Sequence, residues 1–115
     1  MKDKRIILIG AGNVAHHLAP ALLKAGLNLC QIYSRSIESA RELGRKTGIT
    51  YTADLFGIYP DGDIYIFCVS DDALLSLFKS IRINSAACIL NLYMHEPGFF
   101  EYTHKYPARS SFTFY

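Results

Sequence analysis

The chain has 115 residues, of which 50% are apolar and 19% are charged, and its formal net charge is +2. Its length predicts one domain, its apolar content argues against intrinsic disorder, and its small charge gives no reason to expect nucleic acid or a membrane as a partner. No apolar run approaches the roughly 18 residues of a membrane span. The apolar run 6–9 is too short for a signal peptide, so we expect a cytoplasmic protein.

The first half of the chain predicts alternating strands and helices. Residues 6–9 form a continuous apolar run that ends in glycine, which is typical of a buried parallel strand. Apolar residues at helical spacing predict a helix over 13–25, and residues 27–33 predict a second strand. We expect Ser36 to cap a second helix and Gly48 to end it.

The alternation continues in the second half. Residues 49–53 predict a short third strand, and residues 54–62 predict a connection with room for one helical turn, because they are rich in glycine and proline. Residues 63–70 predict a buried fourth strand, and residues 86–92 predict a fifth, with an amphipathic helix between them.

This order of elements predicts an α/β fold with a doubly wound parallel sheet in the strand order 3-2-1-4-5. We expect residues 1–92 to form this domain and residues 93–115 to form an irregular, aromatic-rich tail. Phe112 and Phe114 of the tail would suit an added edge strand. Three interpretations of the tail stay open: a segment that packs on the sheet, a partner-binding segment, or a truncated or frame-altered C-terminus.

The cysteines and histidines do not suggest a metal site. Cys30, Cys68 and Cys88 are widely spaced in predicted strands, so we expect reduced, buried thiols. His16 and His17 are adjacent and therefore point to different faces of a helix, which excludes a paired metal site. The sequence identifies no catalytic residue.

A glycine motif at residues 10–15 lies between the first strand and the first helix. Gly10 permits a tight turn, Gly12 lets a pyrophosphate approach the backbone, and Ala15 lets the helix pack closely on the strand. The free amides and the dipole of the helix start favour a phosphate. The motif therefore predicts a dinucleotide site; the alternative is a glycine-rich turn without a ligand.

The second predicted strand ends without an acidic residue. NAD-binding domains normally place Asp or Glu there to bind the ribose hydroxyls. Here the strand runs into Ser34, Arg35 and Ser36, which offer a guanidinium and two hydroxyls to a 2′-phosphate. We therefore predict a preference for NADP(H) over NAD(H). The alternative for Arg35 is a solvated surface charge.

The end of the fourth predicted strand is the third informative segment. Ligands of open α/β sheets bind beyond the carboxyl ends of the strands, where the strand order reverses. Val69 and Ser70 should therefore border the nicotinamide half of the cofactor. Asp71 and Asp72 are better explained as caps of the following helix.

Three motifs resemble the N-terminal coenzyme domain of a reductase superfamily that includes pyrroline-5-carboxylate reductase and the deazaflavin-dependent NADP oxidoreductases. They are Ile-Leu-Ile-Gly-Ala-Gly-Asn-Val-Ala, Ile-Tyr-Ser-Arg-Ser and Phe-Cys-Val-Ser-Asp-Asp, and the likeness spans residues 5–92. The resemblance implies a Rossmann-like domain that binds NADP. The residues that it implies for the cofactor are Gly10, Gly12, Asn13 and Val14 at the pyrophosphate, Ser34, Arg35 and Ser36 at the 2′-phosphate, and Val69 and Ser70 at the nicotinamide ribose.

The chain also departs from that superfamily. Residues 91–98 stand where a small Gly- and Ser-containing loop usually approaches the nicotinamide, and the chain ends before the usual helical domain. We expect the NADP(H)-binding domain of an oxidoreductase that acts on a small, unidentified substrate, with a homodimer as a possible assembly. A non-catalytic dinucleotide-binding module is the alternative. A methyltransferase-type domain is disfavoured, because it too usually has an acid after the second strand.

Overall fold

The computed structural model describes residues 3–69, 76–77, 79–81, 83, 86–96 and 99–107. Residues 91–96 and 99–107 are described by their backbone alone. The strands are β1 (Ile6–Ile9), β2 (Leu29–Tyr33), β3 (Tyr51–Thr52), β4 (Ile64–Phe67), β5 (Cys88–Glu96) and β6 (Phe99–Pro107). The helices are α1 (Asn13–Lys24), α2 (Ile37–Thr47) and a short 3-10 helix (Leu55–Gly57).

The strands form one sheet in the order β3-β2-β1-β4-β5-β6. The first five strands are parallel, and β6 runs antiparallel to β5. The predicted α/β fold and the strand order 3-2-1-4-5 are therefore confirmed.

Strand β1 is buried on both faces because it lies in the centre of the sheet. Ile6 and Leu8 belong to a cluster with the apolar faces of α1 and α2. Ile7 and Ile9 point to the other face, where residues of the segment 55–59 and of the segment 77–83 pack on them. This double coverage explains why the strand is a continuous apolar run.

The ends of α2 are fixed by the two residues that the sequence indicates. The Ser36 hydroxyl accepts a hydrogen bond from the Ser39 amide at 3.3 Å. Gly48 adopts a left-handed conformation with φ of 76° and donates its amide to the Gly44 carbonyl at 2.7 Å. Both predicted caps are confirmed, since both rest on local backbone chemistry.

Several predicted boundaries were too wide. Strand β2 begins at Leu29 rather than at residue 27, because the Leu27 amide donates to the Leu22 carbonyl and closes the end of α1. Strand β3 contains only Tyr51 and Thr52, and β4 is shorter than the predicted 63–70.

At the other end of the sheet, β5 continues to Glu96, beyond the predicted end at 92, and pairs there with β6. The predicted strand at Phe112 and Phe114 and the predicted helix start at Asp71 or Asp72 lie outside the described residues. Within the described ranges, no helix is long and apolar enough to cross a membrane.

Candidate functional site

A groove of about 480 Å³ lies beyond the carboxyl ends of β1, β2 and β4. Strand β1 pairs with β2 on one side and with β4 on the other, so the sheet's connections diverge there and leave a crevice. Five of the predicted site residues line it: Gly10, Gly12, Ser34, Arg35 and Val69. Its volume lies in the usual range for a small-molecule or cofactor site.

Gly10 forms the floor of the groove and is held between two strands. Its amide donates to the Tyr33 carbonyl at 2.6 Å, and the Cys68 amide donates to the Ile9 carbonyl at 2.8 Å. Its φ is 118°, and a Cβ at this position would come within 2.7 Å of the Cys68 carbonyl oxygen. A side chain is therefore excluded here by the protein's own backbone.

At Gly12, unlike Gly10, the described protein atoms leave room for a side chain. It is the exposed N-cap of α1, and a Cβ added there would meet no atom of the described residues within 4 Å. No side chain in the described part of the chain caps the helix, and its first turn contains no acidic residue. The first amides of any α-helix have no acceptor within the helix, so this helix start suits an anion.

Asn13 and Val14 occupy the first turn of α1. Asn13 is exposed and Val14 is half-buried, and neither side chain lines the groove. Their predicted contribution to a pyrophosphate would therefore come from their backbone amides.

Arg35 lies at the rim of the groove in a turn that Ser34 holds. Ser34 is buried, its amide donates to the Thr52 carbonyl at 3.1 Å, and its hydroxyl accepts from the Ser36 amide at 3.3 Å. Arg35 itself is exposed, and it has no ion pair or hydrogen bond with any other residue in the described ranges. An exposed guanidinium in this position suits an anionic ligand.

The Ser36 hydroxyl serves α2. It accepts from the Ser39 amide and donates to the Glu38 carboxylate at 3.1 Å, and its side chain does not line the groove. The backbone amide of Glu38 and then the Ser36 hydroxyl hold the pKa of that carboxyl below its usual value. The charged carboxylate keeps the donor of Ser36 engaged.

Cys68 and Val69 follow β4 directly and form one side of the groove. Cys68 is a free thiol that packs against the apolar cluster on the α1 face. Burial raises its pKa to about 12, so the thiol stays neutral at physiological pH and is a poor nucleophile. Ser70, the other residue predicted at this end, lies outside the described residues.

The walls contain apolar residues that the sequence analysis did not identify. Leu55, from the 3-10 helix after β3, and Leu77, from the helical segment after β4, both line the groove and both pack on the same core cluster. Ser76 and Ser80 accompany Leu77. Ser80 lies four residues after Ser76 and three after Leu77, so a helix would bring it next to both, but no motif in the sequence indicated these residues as part of a site.

These features fit a dinucleotide. The amides at the start of α1 suit an anion, and the Arg35 guanidinium suits a phosphate on the ribose. Leu55 and Leu77 offer apolar walls to an aromatic base. Among the residues that the structure describes, no group of His, Cys, Asp and Glu is arranged to hold a metal ion.

Comparisons with known proteins agree with this geometry. A family model described as coenzyme F420-dependent NADP oxidoreductase matches residues 5–90. A solved structure from Bacteroides fragilis, described as an NADP oxidoreductase, is 30% identical, has a TM-score of 0.74, and is matched over 90% of this chain and 52% of its own.

Two more distant proteins share this region. A pyrroline-5-carboxylate reductase from Coxiella burnetii is 16% identical with a TM-score of 0.64, over 82% of this chain and 45% of its own, which shows a common fold alone. A glutamyl-tRNA reductase from Nitratidesulfovibrio vulgaris is 31% identical over 102 residues, which are 87% of this chain and 22% of that protein. The chain thus spans about half of one relative and about a fifth of another.

Proposed function

Because this chain belongs to the family of coenzyme F420-dependent NADP oxidoreductases, we propose that it is the NADP(H)-binding domain of an oxidoreductase that transfers hydride between the nicotinamide and a small substrate. The membership confirms the resemblance found in the sequence, and the family's description names NADP together with coenzyme F420. The nicotinamide supplies or accepts the hydride, and the protein provides binding and orientation.

The pyrophosphate would bind at the start of α1. The open space at Gly12 supports this position, because a ligand's phosphates need that room to approach the amides of residues 12–14. Gly10 keeps the floor low enough for this approach, since a side chain there is excluded. No acidic side chain in the first turn would repel the phosphates.

The 2′-phosphate would bind Arg35. The exposed guanidinium on the groove rim, free of any carboxylate partner among the described residues, is the observation that carries the preference for NADP(H). Ser34 would hold the turn that presents it. A direct contact of the Ser36 hydroxyl stays a prediction, because that hydroxyl already caps α2.

The nicotinamide would extend toward Val69 and the predicted Ser70. The described residues include no side chain that we assign to the proton or hydride step. A substrate pocket would then need a second wall, from another subunit or from a further part of the protein, and a homodimer is one way to supply it. The cytoplasmic location stays a prediction from the sequence.

Calorimetric titration tests this function directly. We expect the chain to bind NADPH at least tenfold more tightly than NADH, because one charge-assisted contact contributes about 1.5–3 kcal/mol. Absence of binding by both nucleotides, or equal affinity for both, would contradict the proposal. Oxidation of bound NADPH by imines, ketones and oxo acids then tests for hydride transfer, and binding without oxidation by any of them would favour a binding module.

A further inference from the structure

Strand β2 and the residue after it contain the buried polar side chains of the described ranges, Gln31 and Ser34, which are 2% and 8% exposed. A buried polar group is costly unless it is hydrogen-bonded, so each must satisfy a specific partner. Ser34 holds the turn of Arg35. The proposed function gives no role to Gln31.

The carboxamide of Gln31 is bonded to the backbone of one loop. Its Nε2 donates to the Gly57 carbonyl at 2.7 Å, and its Oε1 accepts from the Tyr59 amide at 2.9 Å. Gly57 is the last residue of the 3-10 helix, and Tyr59 lies two residues after it. A single side chain from β2 therefore holds the end of that helix through one donated and one accepted hydrogen bond.

This loop carries a wall of the groove. Leu55 begins the 3-10 helix, lines the groove and packs on the core. The start of the helix is fixed locally, since the Asp54 carboxylate accepts from the Phe56 amide at 3.0 Å. Its far end depends on Gln31, together with the Tyr65 hydroxyl, which donates to the Tyr59 carbonyl.

The Leu55 wall belongs to the side of the groove where Arg35 lies. The Ser34 amide, next to Arg35, donates to the Thr52 carbonyl at 3.1 Å, and Leu55 follows Thr52 by three residues, so the two segments meet at the end of β2. If NADP(H) binds as proposed above, this is the adenosine side of the cofactor.

We propose that Gln31 is a positioning residue for the adenosine half of the cofactor, which it serves by holding the Leu55 wall through Gly57 and Tyr59. It touches no ligand itself, since it is buried and does not line the groove. The inference rests on the proposed function. It adds that the affinity for the adenosine moiety depends on a carboxamide under the loop.

The test measures binding of NADPH and of adenosine 2′,5′-bisphosphate by calorimetry, below the melting temperature of every variant. Gln31→Met keeps the size and removes both hydrogen bonds, and we expect on the order of tenfold weaker binding of both nucleotides. Leu55→Ala removes the wall directly and should weaken both by a similar factor. Gln31→Glu keeps the acceptor for the Tyr59 amide but places a buried carboxylate against the Gly57 carbonyl, so it should bind both nucleotides no better than Gln31→Met.

The matched control is Leu29→Ala. Leu29 lies on β2 and is buried in the cluster on the opposite face, away from the groove. It should lower the melting temperature and leave both dissociation constants unchanged, which separates positioning from a general loss of stability.

The possible outcomes are distinct. A wild-type chain that binds neither nucleotide overturns the proposed function. A wild-type chain that binds both, with Gln31→Met or, if that variant does not fold, Gln31→Glu binding them equally well, overturns only the role of Gln31. Equal loss of affinity in Leu29→Ala and Gln31→Met would also overturn it, because the effect would then follow stability.

Discussion

The carbonyl oxygen of Cys68 lies 2.7 Å from the position that a Cβ of residue 10 would occupy, so Gly10 and the end of β4 can approach only because residue 10 has no side chain. This contact joins the glycine turn after β1 to the end of β4, where we propose that the nicotinamide binds. It makes the shape of the proposed cofactor site depend on the packing of two parallel strands.

Gly10→Ala should therefore damage the fold itself. The positive φ and the contact with the Cys68 carbonyl should together lower the free energy of unfolding by roughly 2–4 kcal/mol. Urea unfolding followed by circular dichroism measures this. A variant as stable as the wild type would contradict the geometry at this turn.

Gly12→Val should leave the stability of the fold nearly unchanged and weaken the binding of NADPH. A Cβ at residue 12 meets no atom of the described residues within 4 Å, so we expect the free energy of unfolding to change by less than about 1 kcal/mol. The side chain would occupy the space assigned to the pyrophosphate, and NADPH affinity should fall at least tenfold. Unchanged affinity in a folded Gly12→Val variant would show that the phosphates lie elsewhere.

Arg35→Ala tests the preference for the 2′-phosphate. We expect the affinity for NADPH to fall about tenfold to a hundredfold and the affinity for NADH to change little, because only NADPH carries the phosphate. Arg41→Ala removes another exposed arginine, on α2 and outside the groove, and is the matched control. A similar loss for both nucleotides, or a similar effect of Arg41→Ala, would refute the specific role of Arg35.

Ser36→Ala separates two roles of one hydroxyl. The cap bond to the Ser39 amide predicts a loss of about 1 kcal/mol in unfolding free energy. Because the hydroxyl is already engaged by Ser39 and Glu38, the affinity for NADPH should change less than about threefold. A large loss of affinity at wild-type stability would assign the hydroxyl to the ligand instead.

Cys68 should make the protein less stable in alkaline solution. The folded thiol has a pKa of about 12 and the usual value is 9.0, so between these values the unfolded chain releases a proton that the folded chain retains. The free energy of unfolding should therefore fall by about 1.4 kcal/mol between pH 8 and pH 10 on account of this residue. Cys68→Ser removes the titrating group, and the difference between its pH profile and that of the wild type should show the loss; identical profiles would contradict it.

The sequence determined much of the fold because the signals concerned are local. The caps Ser36 and Gly48 act on neighbouring backbone groups, and the run Ile6–Ile9 needs only coverage on both faces. The spacing of Gly10 and Gly12 likewise reports a turn from a strand into a helix. Such patterns predicted the parallel sheet and the floor of the candidate site.

The tertiary structure decided which distant residues share the groove. Leu55 and Leu77 are far apart in the chain and become walls of one groove only when the segments after β3 and β4 pack on the same core cluster. In the sequence, Gln31 is an ordinary strand residue. Only the tertiary structure shows that its side chain binds the backbone of the loop at Gly57 and Tyr59. Contacts of this kind depend on long-range packing, which no local pattern of polarity or turn residues specifies.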